Sequence, residues 1–178
     1  MKSRKLSLEQ FAFLNKNLVG DNAEFLELIS SHVGHLVFEF NLLEERLTSF
    51  IWMLISESSD SKGVLITHNM SYASKVDLFN RYSKYIQTIL NKSISIHEKM
   101  IFDLRESGRL RNLVVHAEWN TVDSEGFAFT KFKFHQNDIL QEFVQLNEDS
   151  LITIRNLIIE THNLFDEYEE MYGKMISL

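Results

Sequence analysis

The chain has 178 residues, 44% of them hydrophobic, a formal net charge of −7, and neither cysteine nor proline. That length and apolar content provide for one domain with a sizeable core and exclude a mainly disordered chain. The missing cysteines exclude disulfides, thiolate metal sites and thiol nucleophiles, and the acidic balance disfavours a protein that grips nucleic acid over its whole surface.

At an average usage of roughly 5%, a chain this long would hold about nine prolines. With only six glycines as well, helix breakers are scarce and long helices are expected. The start, Met1-Lys2-Ser3-Arg4-Lys5, is basic, but no uninterrupted apolar segment follows it. The most apolar stretch, 33–55, is broken by Glu39, Glu44, Glu45 and Arg46. These features predict no secretory leader, no membrane span and a cytoplasmic location.

In chain order, a first helix is expected over 8–19, with Ser7 and Gln10 as a capping box and Gly20 as the stop. Asp21 and Glu24 open a second. Its apolar stripe runs Phe25, Ile29, Val33, Leu36, Phe40, Leu43, Leu47, Ile51 and Leu54, and further hydrophobes at Leu26, Val37, Phe38, Leu42 and Phe50 predict a helix that is central or packed on two sides. Gly34 is placed for a kink or a close neighbour. Residues 56–69 are polar and read as a loop. A third helix follows Ser71 through Tyr72, Val76, Phe79, Tyr82, Ile86 and Ile89. A fourth is capped by Ser95 and Glu98 and runs to about His116. The β-type residues 119–122, the turn Asp123-Ser124-Glu125-Gly126 and the alternating aromatics of 127–134 predict a hairpin, with a bulge where the alternation changes phase between Phe129 and Phe132. Residues 137–146 read as ambiguous or a short helix. A last helix fits 147–172.

The most specific segment is Arg111-Asn112-Leu113-Val114-Val115-His116, at the end of the fourth helix. At about 100° per residue, Asn112 and His116 share a face within roughly 40° of each other. Arg111 falls instead on the apolar stripe with Leu104 and Gly108. A guanidinium there must meet a carboxylate, line a cleft or face another subunit. Gly108 would let something approach closely. The competing reading is a helix end, where arginine and histidine favour the macrodipole.

This segment resembles the signature of the HEPN superfamily, in which arginine and a polar residue precede histidine by a few positions at a helix end. The surroundings resemble a group of bacterial HEPN-like proteins through Asn41-Leu42-Leu43-Glu44, Met70-Ser71-Tyr72-Ala73-Ser74-Lys75 and Trp119. The resemblance covers about 25–172. It implies an all-α fold, a HEPN-like bundle of about four to five helices with a small β-hairpin after the motif helix, as one domain over 1–178 with 1–20 appended as an N-terminal helix. It also implies a metal-independent endoribonuclease without a cofactor, acting as a homodimer on an RNA substrate, in the manner of a toxin with an antitoxin partner or of a phage-defence effector. His116 would move protons, Arg111 would stabilise transition-state charge, and Asn112 would orient His116 or hold a phosphate oxygen. Where some HEPN toxins carry a modified tyrosine two residues past the histidine, this chain has Glu118.

Arg109, Lys131 and Lys133 are candidate contacts to RNA phosphates, with a solvated face as their alternative; His135 belongs to the same strand. Glu44 and Gly108 are assigned to structural support, Glu44 or Glu45 as a partner for Arg111. His32, His35 and Glu39 have metal-ligand types, but no further ligand follows at recognisable spacing, so no metal site is assigned. Two other functions remain open: a non-catalytic HEPN-like dimerisation or binding module, and an unrelated helical interaction protein.

Overall fold

The structure, a computed structural model, describes residues 1–7, 23–56, 59–135 and 138–177. The helix expected over 8–19 and the Asp21 start lie outside the described residues. In chain order the elements are β1 (Ser3–Ser7), α1 (Ala23–Ile55), α2 (Ser61–Thr67), α3 (Tyr72–Ile89), α4 (His97–Val115), a 3-10 turn (Trp119–Thr121), β2 (Phe127–His135), β3 (Asp138–Gln145) and α5 (Glu148–Ile176). Five α-helices and a three-stranded antiparallel sheet, among the described residues, make this an α+β fold and correct the all-α expectation. No described helix is long and apolar enough to cross a membrane.

The chain divides into two compact units, Met1–Val37 with Leu110–Arg155, and Phe38–Arg109 with Asn156–Leu178. The first holds the sheet, in the order β1-β3-β2. The aromatic run 127–134 is a strand, but its partner is β3, with Phe127 opposite Gln145 and His135 opposite Asp138. Residues 119–122 form no strand, only the 3-10 turn and an isolated bridge between Glu118 and Phe129. The register slips between Phe129 and Lys131, where the alternation changes phase. Phe127, Phe129 and Phe143 are buried together with Phe132 packed against them. β1 runs antiparallel to β3, from Ser3 opposite Val144 to Ser7 opposite Leu140. It is exposed throughout, and Arg4 secures it: the guanidinium lies 3.8 Å from the Phe127 ring centroid and donates to Glu125 at 2.8 Å. Gly126 adopts φ +83° in the turn before β2, a conformation that glycine reaches without a Cβ clash.

The second unit is organised around Phe50, whose ring meets those of Phe79, Phe165, Tyr168 and Tyr172 at centroid distances of 5.5 to 5.9 Å. The α1 stripe is buried as its spacing requires, from Phe40 through Leu43 and Leu47 to Leu54. Of the additional hydrophobes on α1, Phe50 is buried, while Phe38 and Leu42 are 74% and 49% exposed, so that side of the helix faces outward. The segment read as a loop over 56–69 contains α2. It forms because Gly63 removes a side chain that would collide with the Trp52 ring, and because Trp52 Nε1 donates to Thr67 Oγ1 at 2.8 Å. Ser71 caps α3 as expected, accepting from the Ser74 amide at 3.2 Å. Ser95 does not cap α4. The first bond of that helix goes to the Ile96 carbonyl, from Met100 at 2.9 Å.

Candidate functional site at the end of helix α4

Three bonds in the first unit end α4 where the sheet begins. The His116 amide donates to the Asn112 carbonyl at 3.0 Å, closing the last turn. Trp119 Nε1 reaches back to the Val114 carbonyl at 3.0 Å and satisfies an acceptor that a helix terminus leaves open. The Glu118 amide then donates to the Phe129 carbonyl at 2.9 Å, bridging the chain to β2. Thr121 locks this exit, its hydroxyl donating to the Glu118 carbonyl at 2.7 Å and accepting from the Phe129 amide at 3.3 Å. His116 is therefore held at both sides by backbone hydrogen bonds while its imidazole is exposed.

Asn112 is exposed and Arg111 half-buried. Arg111 Nη1 donates to Asn112 Oδ1 at 3.0 Å. The amide oxygen thus accepts from the guanidinium, and the Asn112 amide nitrogen keeps its two donors. Arginine, amide and imidazole lie on the last turn and a half of one helix, a charge, a neutral acceptor and a proton carrier in sequence.

The other residues singled out in the sequence have partners of their own. Arg109 donates to both Glu106 oxygens at 2.7 Å, one turn back on the same helix. Lys133 donates to Glu142 at 2.7 Å and Lys131 lies 3.5 Å from the same carboxylate. Glu142 is buried, which disfavours its charge, yet the hydrogen bond from Lys133 and the charges of both lysines outweigh burial and hold its pKa below the usual carboxylate value. Glu44 accepts from Lys75 at 2.7 Å. Gly108 is buried and admits the Tyr72 ring, which a Cβ would approach to 2.7 Å. Among the described residues, Gly34 has no neighbour within 4 Å of a Cβ position. His32 lies 3.3 Å from Glu148, and among the described residues no three metal-ligating side chains gather. The side chain of His135 lies outside what the structure describes.

Sequence reasoning missed two groupings in the second unit. One is the Glu44–Lys75 pair, for which opposite charges beside the apolar stripes of two helices were the available signal. The other is the buried His97, whose Nδ1 lies 2.7 Å from the Tyr168 hydroxyl and whose Nε2 lies 2.9 Å from Asn80 Oδ1. Compared with known protein families, curated proteins and solved structures, the chain matches none.

Proposed function

We propose that the protein is a HEPN-type endoribonuclease, cytoplasmic and homodimeric, in which two copies of the Arg111–His116 segment serve one RNA phosphodiester without a metal. The reading rests on its resemblance to the HEPN signature. The observation that carries it is an exposed residue His116 at a braced helix end, with Arg111 about a turn and a half earlier bonded to the Asn112 amide oxygen. One His116 would take the proton of the RNA 2′-OH, whose oxygen then attacks phosphorus. The 5′-oxygen would leave with a proton from the second His116, giving 2′,3′-cyclic phosphate and 5′-OH ends. Arg111 would offset the charge gathered on the phosphoryl oxygens. Toxin or phage-defence activity, with an antitoxin partner, belongs to the same proposal.

The test is incubation with RNA in excess EDTA. Cleavage by wild type and by His135→Ala, lost in His116→Ala, supports the proposal. Equal behaviour of wild type and His116→Ala overturns it.

One observation favours a second reading, a non-catalytic dimerisation or binding module. The cations expected to hold RNA, Arg109, Lys131 and Lys133, are each within ion-pair distance of a glutamate, and the chain is acidic overall. That reading predicts that Arg111→Ala changes the oligomer mass while RNA stays intact with every variant.

A further inference from the structure

A groove of about 360 Å³ opens on the second unit, lined chiefly by Asn41, Glu44, Glu45, Thr48, Trp52 and Lys75. In its lining Lys75 Nζ holds Glu44 Oε1 at 2.7 Å, with the two side chains only 14% and 31% exposed. The lysine charge is thereby matched, and the second oxygen of Glu44 keeps acceptor capacity. Glu45, exposed and next in sequence, adds another carboxylate. The lining carries two negative charges against one positive.

The aromatic wall of the groove is rigid. Trp52 Nε1 donates to Thr67 Oγ1 at 2.8 Å, and that hydroxyl donates to the Gly63 carbonyl at 2.8 Å. Gly63 brings α2 against the indole so closely that any Cβ would collide with it. The ring is therefore fixed before any ligand arrives, and its ordering costs a ligand little.

We propose that this groove binds a guanidinium group, its plane against Trp52 and its N–H groups on Glu44 and Glu45. A guanidinium is planar, weakly hydrated and rich in donors, so it can stack on an indole and bond carboxylates at once. An ammonium is compact and strongly hydrated and meets only part of this site. Anions are disfavoured by the excess negative charge. The group comes either from an arginine of a partner protein or from a free small molecule.

Calorimetric titration of the full chain with agmatine and with the capped peptide acetyl-Gly-Arg-Gly-amide separates these sources. The tighter probe identifies the source, and tight binding of either supports the site. The expected result is one site per chain, a shift of the Trp52 indole N–H resonance and no shift of Trp119. Glu45→Gln, an exposed position that leaves the fold intact, should weaken binding about fivefold to tenfold, as loss of one charge-assisted bond does. The corresponding lysine peptide should bind about threefold weaker or worse. The proposal is overturned if neither guanidinium probe binds below about 10 mM, if Glu45→Gln leaves affinity unchanged, if the lysine peptide binds equally well, or if Trp119 shifts as much as Trp52.

Discussion

Arg111 Nη1 donates to Asn112 Oδ1 across 3.0 Å, although neighbouring positions on a helix point about 100° apart. The bond draws the guanidinium from its own stripe toward the side that Asn112 shares with His116. An adjacent pair can do this because the arginine side chain is long and its terminal nitrogens project beyond the helix surface.

In the proposed enzyme, Asn112→Ala removes the acceptor that Arg111 Nη1 uses and should slow RNA cleavage about tenfold, while His116→Ala removes the proton carrier and should slow it by about 10² to 10⁴. Both positions are exposed, so unfolding free energy should stay within about 0.5 kcal/mol of wild type. Single-turnover cleavage and urea titration of the same preparations measure the two effects separately. A loss of activity matched by loss of stability would contradict this assignment.

Gly108→Ala tests the close approach of α4 to Tyr72. The new Cβ would stand 2.7 Å from Tyr72 Cε1, and the ring is tethered because its hydroxyl donates to the Leu104 carbonyl at 2.9 Å. Overpacking of this kind costs about 1–3 kcal/mol. Tyr72→Phe keeps the shape and loses the bond, for about 1 kcal/mol. Chemical denaturation reads both, and in the double variant the costs should not add, since the two positions touch.

His97 makes the fold sensitive to mild acid. Burial lowers its pKa, opposed in part by Glu98 and assisted by Lys84, and its neighbour Tyr168 is pushed up to about 12, mainly by burial, so that hydroxyl stays protonated. The unfolded chain takes up the histidine proton near pH 6.5. Below that value the unfolded state binds more protons than the folded one, so stability falls as pH drops from about 6.5 toward the lower folded pKa. Urea midpoints at pH 7.5 and 5.5 should differ more for wild type than for His97→Gln. Equal differences would remove His97 as the cause.

Glu142 acts in a lower window. Its depressed pKa means that its contribution is present above the unfolded carboxylate value, near pH 4.5, and is lost as pH falls through the folded one. Glu142→Gln should cost about 1–3 kcal/mol at neutral pH by stranding Lys133, and should flatten the acid limb of the stability curve. Lys131→Ala and Lys133→Ala should lower stability yet leave the salt dependence of any RNA binding unchanged. A true phosphate contact would remove about 0.7 from that logarithmic slope.

The helices were largely legible from the sequence by itself, because their evidence is local. A stripe at three-and-four spacing determined α1. Ser71 marks the start of α3, and the Arg111–His116 segment falls at the end of α4 by the spacing of the apolar residues that precede it. The bulge after Phe129 was legible too, since a phase change within one strand needs no knowledge of its partner.

Tertiary structure decided the sheet. β1 is a short polar strand whose partners in β3 are distant in sequence, as with Ser3 opposite Val144, and nothing within Ser3–Ser7 announces it. β3 looked ambiguous because its residues are strand-like only beside Phe127–His135, and β2 chose that partner over the nearer 119–122. Strand pairing is non-local, so its energy cannot be read from either segment alone. The same reason governs the side chains. Packing decided that Glu44, Lys75, Lys131 and Lys133 would each lie against an opposite charge. It left His116 exposed at a braced helix end, where the proposed chemistry requires it.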